Sequence, residues 1–257
     1  MVRGWLALAF ASLALAIGDV IQRLVVEPWV KLRPSRRIPV LGGWIKIMAW
    51  LTTKPVAWIS GCVIPSPPRL VPVEPGVLVL MNHQSLLDIP LVVQTVEEPG
   101  YPRIVTRNRY SRWIPLISKM VRLYQYPVVD QAAKSEDMRR ALEHIGAQAR
   151  ESDVPFVVFP EGHRTRDGEI GRFKRGALST ILAARSWRVY VYVADGFWKV
   201  ARYRDFIHHV KGVRGRIEHV GVFEWNDPGA DPDPFIETIR ETMVKRLEAM
   251  RREASVA

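Results

Sequence analysis

The chain opens on an apolar run from Trp5 to Ile17, with Arg3 ahead of it and Gly18-Asp19 behind. Apolar positions continue beyond it at helical spacing, through Val20, Ile21, Leu24, Val25 and Trp29. A second apolar segment covers residues 38–63 and carries Trp44, Ile45, Met48, Trp50, Leu51 and Trp58. Lys31-Leu32-Arg33-Pro34-Ser35-Arg36-Arg37 makes a basic link between the two. The first run by itself is short of the roughly 20 apolar residues that a transmembrane helix needs. A basic start followed by a short apolar core also fits a signal peptide, although the continuing periodicity argues against cleavage. Two tryptophan-rich apolar helices joined by a basic turn predict a hairpin lying in one leaflet or dipping into it. A soluble hairpin packed on the rest of the chain and a simple span over residues 3–25 are the alternatives.

Proline clusters at 65–68 and 72–75 end this region and predict a boundary between an N-terminal hairpin, residues 1–64, and a second domain, residues 65–257. Beyond them, Val77-Leu78-Val79-Leu80-Met81 is the right length for a buried strand, and residues 86–96 read as a helix. Short strands are expected at 103–106 and 124–129, with a helix over 113–123 between them. Ser135 reads as the N-cap of a helix to about residue 150, its buried stripe formed by Met138, Leu142, Ile145 and Ala149. A strand at 154–159, a helix at 176–186 and strands at 189–193 and 213–223 follow. The stretch 198–211 shows no clear period. Phe235, Ile236, Ile239, Met243, Leu247 and Met250 define a closing amphipathic helix, whose Lys245, Arg246, Arg251 and Arg252 form a solvated face or a membrane contact. Strands alternating with helices predict an α/β fold, with a mixed, largely parallel β-sheet flanked by helices.

Composition adds constraints. The 257 residues are 48% hydrophobic and 25% charged, which excludes general disorder. A net charge of +11 points to an anionic partner: nucleic acid, an anionic membrane face or a phosphorylated substrate. The basic residues are dispersed and no nucleic-acid motif is present, so a nucleic-acid partner is not expected. A single cysteine, Cys62, excludes an intramolecular disulfide and a cysteine-based zinc site. His208-His209 lack cysteine or carboxylate partners in sequence, and no metal is expected.

The candidate chemistry lies at the end of the strand over residues 77–81. His83 falls at the carboxyl edge, where α/β sheets place their ligands, and Asp88 follows five positions on. Five residues of continuous helix turn about 500°, which would point the two side chains apart. They meet only if His83 is in the loop and Asp88 reaches back from the first helical turn. That arrangement suits a base oriented by a carboxylate. The alternative is a capping box, with Ser85 as N-cap and Asp88 as its partner.

Asn82-His83-Gln84-Ser85-Leu86-Leu87-Asp88 resembles the histidine, four residues, aspartate motif of the glycerolipid acyltransferases. Phe159-Pro160-Glu161-Gly162-His163-Arg164-Thr165 resembles that family's second block, and Phe173-Lys174-Arg175-Gly176-Ala177 the segment after it. The likeness covers roughly residues 75–200, and the ordered pair of motifs is far more specific than either alone. It implies transfer of a fatty acyl group from a thioester to a lysophospholipid-like acceptor, most simply lysophosphatidic acid to phosphatidic acid. His83 would act directly as base, Asp88 as its orienter, and no acyl-enzyme would form. Glu161, Gly162, Arg164, Thr165, Lys174 and Arg175 would bind the acceptor, Glu161 by holding a hydroxyl or an arginine, and arginine because its planar fork fits phosphate. Backbone N–H groups near the helix start would serve the oxyanion. The resemblance further implies acyl-CoA or acyl-carrier protein as cosubstrate with no bound cofactor, membrane lipids as partners, and a catalytic domain on the cytoplasmic face of the inner membrane.

Two positions depart from that family's pattern: Gln131 stands where an arginine is expected, with Arg107, Arg109 and Arg122 as possible substitutes, and the strand over 189–193 lacks a proline. A catalytically idle lipid-binding protein on the same scaffold is the rival reading.

Overall fold

The computed structural model describes residues 1–130 and 135–256. One strand, buried on both of its faces, organises it. In β1 (Val77–Met81) all five residues are buried. Val77, Val79 and Met81 face one hydrophobic cluster, and Leu78 and Leu80 face another. A strand buried on both faces needs a helical layer on each side, and the chain supplies both.

β5 (Phe156–Val158) pairs parallel to one edge of β1, and β2 (Arg103–Ile104) pairs parallel to β5. On the other edge, β6 (Trp187–Asp195) runs parallel to β1, and β7 (Arg216–Trp225) is antiparallel to β6. The order is β2-β5-β1-β6-β7, with β3 (Thr106–Arg107) and β4 (Val128–Val129) forming a separate parallel pair. The mixed, largely parallel sheet expected from the alternation is the one observed.

On the face of Leu78 lie α6 (Ser135–Glu151), α7 (Arg175–Leu182) and α9 (Asp233–Val256). On the face of Val79 lie α4 (Asp88–Gln94) and the N-terminal helices. The first apolar run does not stop at Ile17. α1 (Val2–Ile21) continues through a π-helical turn (Gln22–Val26) into α2 (Glu27–Leu32), so Val2–Leu32 is long and apolar enough to cross a bilayer. A 3-10 turn over Pro34–Arg36 then leads into α3 (Arg37–Ser60).

This hairpin buries polar contacts among its core side chains and leaves large apolar side chains outside. Buried Gln22 donates to the Leu116 carbonyl at 3.3 Å and accepts from the Trp44 indole at 3.1 Å. Asp19 accepts the Leu116 N–H at 2.8 Å. Trp5, Leu13, Leu24, Trp29, Trp50 and Trp58 are exposed.

Several expectations are revised. The helix expected over 113–123 is confined to α5 (Ile117–Leu123), because Trp113 and Leu116 take positive φ, 67° and 61°, and break the turn. Only residues 128–129 of the strand expected over 124–129 pair, Pro127 having no N–H to give. The unassigned stretch contains a 3-10 turn (Phe197–Val200) and α8 (Tyr203–His209), with His208 and His209 exposed. In α6 only Ile145 and Ala149 are fully buried; Met138 and Leu142 are half-buried. Gln131 lies outside the described residues.

Candidate active site

β1 delivers its last residue to the carboxyl edge of the sheet, and Asn82 fixes the turn that follows. Its buried amide donates to the Ala194 carbonyl at 2.9 Å and accepts the Ala194 N–H at 2.7 Å, tying the loop to β6. His83 Nδ1 then lies 2.9 Å from Asp88 Oδ2. Asp88 is fully buried and its carboxylate only accepts, so Nδ1 carries the proton and Nε2 is left with its lone pair. The imidazole stacks on Phe159, ring centroids 4.4 Å apart, and keeps a sixth of its surface open to the cleft.

Asp88 supplies one of the two bonds of a capping box, but Ser85 is not the N-cap of the helix that follows: Leu87 holds that position, without a side-chain cap bond. Oδ2 accepts the Ser85 N–H at 2.7 Å, as a box requires, and the Gln84 N–H at 2.5 Å. Ser85 Oγ accepts the Leu87 N–H at 3.2 Å. Because Asp88 turns back to the loop, α4 begins at residue 88 and not at 86.

The second block holds the main chain of His83. Glu161 Oε1 accepts the His83 N–H at 2.8 Å, and Thr165 N–H donates to the His83 carbonyl at 2.8 Å. Glu161 Oε2 accepts the Gly171 N–H at 3.0 Å. Only 1% exposed, Glu161 has its carboxyl pushed above the usual range by burial, against the pull of the two N–H donors. It is not among the residues that line the cleft, and its two oxygens accept backbone N–H groups.

The N–H groups of residues 83, 84 and 85 are all engaged by carboxylates, and the charge that the cleft offers comes from side-chain cations.

Those cations are present. A cleft of about 800 Å³ is lined by His83, Arg107, Arg109, Arg164 and Lys174. Arg164 also donates to the Ala201 carbonyl at 2.5 Å, and Arg107 to the Gly162 carbonyl. Burial lowers the Arg107 guanidinium, with Arg109 and Arg164 contributing in the same direction. Of the three arginines offered as substitutes for the one missing at 131, Arg107 and Arg109 line the cleft, whereas Arg122 sits on α5. Lys199 and Arg202, from the stretch without a clear period, also line it.

Gly162 forms the turn at φ 68°, and Thr165 Oγ1 donates to Asp167 at 2.8 Å. Arg175 pairs with Asp233 of α9 and is not among the lining residues, unlike its neighbours Lys174 and Gly176. Ile104, Val129, Met138, Leu142 and Val158 add apolar side chains to the same lining. Asn82 and Phe159 were legible as motif letters, but their roles in seating the ring depend on β6 and β5.

The acyltransferase family model matches residues 66–194, just over half of the chain. A coconut (Cocos nucifera) 1-acyl-sn-glycerol-3-phosphate acyltransferase is 27% identical over 109 residues, which cover 41% of this chain and 33% of that protein. A putative enzyme of the same name from Caenorhabditis elegans is 26% identical over 136 residues, 52% of this chain and 44% of that one. The matched segments thus span less than half the length of these relatives. The crystal structure of the 1-acyl-sn-glycerophosphate (LPA) acyltransferase PlsC from Thermotoga maritima superposes with a TM-score of 0.68 at 18% identity, over 97% of this chain and 98% of that one. It shares the fold.

Proposed function

The chain belongs to the acyltransferase family, and from that membership we propose that it transfers a fatty acyl group from acyl-CoA or acyl-carrier protein to the free hydroxyl of a lysophospholipid-like acceptor. The simplest such reaction is lysophosphatidic acid to phosphatidic acid, the chemistry named for its relatives. The observation that carries the reading is His83, paired with Asp88, in a cleft lined by both cationic and apolar side chains.

Nε2 of His83 takes the acceptor hydroxyl proton as the oxygen attacks the thioester carbonyl. Asp88 stabilises the imidazolium that forms. The tetrahedral oxyanion collapses, the C–S bond breaks, and the thiolate leaves with the proton carried by His83. Ester and free thiol result, and no acyl-enzyme is needed. Arg164, Arg107 and Lys174 hold the acceptor's anionic head and meet the developing charge. The apolar part of the lining takes the acyl chain.

The outward apolar face of residues 1–64 seats the protein in the membrane, where acceptor and product reside. The remaining domain then lies on the cytoplasmic side, where the thioester donors are.

A panel of lysolipids and acyl thioesters, read by mass spectrometry with purified protein, tests this directly. Phosphatidic acid from lysophosphatidic acid is the expected product. Tight lysolipid binding with no turnover of any acceptor would favour the idle-scaffold reading.

A further inference from the structure

Gln84 follows the base in sequence, and its two ends are tied to different parts of the molecule. Its backbone N–H is held by Asp88, while its fully buried side chain reaches Gly168 O at 3.5 Å and Asp195 Oδ1 at 3.4 Å. Those contacts are long, and alone they would hold little.

Both acceptors are also gripped by one residue from the far end of the chain. Arg251, near the end of α9, donates to Gly168 O at 2.8 Å, to both Asp195 oxygens at 3.3 Å and to Glu169 at 2.5 Å. Charge-assisted bonds of this kind are roughly twice as strong as neutral ones. Gly168 is held from its other side as well: at φ 90°, a Cβ there would sit 2.7 Å from the Trp198 indole. Arg251 lies well beyond the matched segment, which ends at residue 194.

Two routes lead from this clamp to the base. Through Gln84 it reaches the loop whose N–H groups share Asp88 Oδ2 with the imidazole. Through residues 165–171 it reaches the main chain of His83, because Thr165 N–H bonds the His83 carbonyl and Gly171 N–H bonds the Glu161 carboxylate that holds the His83 N–H. We propose that Arg251 is a positioning residue for acyl transfer, fixing the seat of His83 from α9 through Gly168, Asp195 and Gln84.

The proposal rests on His83 being the base, and its test separates the two claims. Arg251→Met, Arg251→Lys, Gln84→Ala and the Met/Ala double variant are compared for kcat, KM and melting temperature. Arg251→Met should lower kcat about 10–100-fold with KM for either substrate little changed, because misplacing a reacting group by an ångström costs that much. Lysine should restore part of the loss. The double variant should be no slower than Arg251→Met, since Gln84 acts through the clamp that Arg251 holds. In parallel, carbethoxylation of His83, read by peptide mass spectrometry, should change several-fold in Arg251→Met while exposed His144 does not.

A wild-type kcat with only a lowered melting temperature would overturn the proposal, and so would losses that multiply in the double variant. An unaltered His83 labelling rate would overturn it even if the wild type acylates no lysolipid, an outcome that by itself would count against the proposed function. If Arg251→Met does not fold, Arg251→Lys and Gln84→Ala carry the same comparisons.

Discussion

Glu161 shows what a residue letter can and cannot announce. The Phe-Pro-Glu-Gly string marked it, yet its work is done on two backbone N–H groups brought to it by β1 and by the turn near residue 171. Glu161→Gln places an NH2 against one of those donors, and we expect kcat to fall about 10–100-fold as the seat of His83 loosens. Its pH signature has a definite sign. Burial raises the folded carboxyl, so the folded chain holds this proton more tightly than the unfolded chain does. The associated stability is complete below the unfolded carboxyl range and is lost as pH rises through the higher folded value. The glutamine does not titrate. Melting of Glu161→Gln relative to wild type should therefore improve as pH rises above the usual carboxylate range, and a flat difference would contradict the assignment. His83 and Asp88 were readable because their meeting is local, whereas Asn82, Gln84 and Arg251 find partners more than 50 positions away.

Among the elements, the buried strands were legible because a continuous apolar run has few alternatives. α6 was legible as a helix but not in its use. Its apolar stripe divides, with Ile145 and Ala149 entering the core and Met138 and Leu142 facing the cleft. Period alone does not distinguish a core from a binding wall. Leu142→Trp should narrow the cleft beside its apolar lining and shift donor preference to shorter chains. Each methylene that no longer fits should cost about fourfold in kcat/KM, the equivalent of roughly 0.8 kcal/mol. Thioester competition assays would show it, and an unchanged chain-length profile would remove that wall from the acyl site. Helix ends were missed where positive φ or proline interrupts an apolar pattern, as at Leu116 and Pro127.

For the whole molecule, the apolar hairpin was visible as composition, but its packing on the sheet was not. Val26, Val30, Leu41, Ile45 and Met48 share one cluster with Val77, Val79 and Met81. At about 1.5–3 kcal/mol per buried side chain, these five contribute on the order of 10 kcal/mol, comparable to the entire stability of a typical domain. Deleting residues 1–60 is therefore expected to unfold the protein, not to release it from membranes. Exposed positions give the cleaner test. Leu24→Ser with Trp58→Ser should cut vesicle co-sedimentation while leaving the melting temperature within a few degrees, because neither side chain is in the core. Undiminished binding would place the lipid contact elsewhere.

The central claim is that the His83 imidazole removes the acceptor proton without an acyl-enzyme. Single-turnover acylation of lysophosphatidic acid by wild type and His83→Ala, with intact-protein mass followed in the same samples, tests it most directly. The account predicts a rate about 10²–10⁴-fold lower for the variant, at unchanged lysolipid binding, and no acylated protein in either. A variant within tenfold of wild type, or an acyl adduct that forms and decays at the turnover rate, would contradict it.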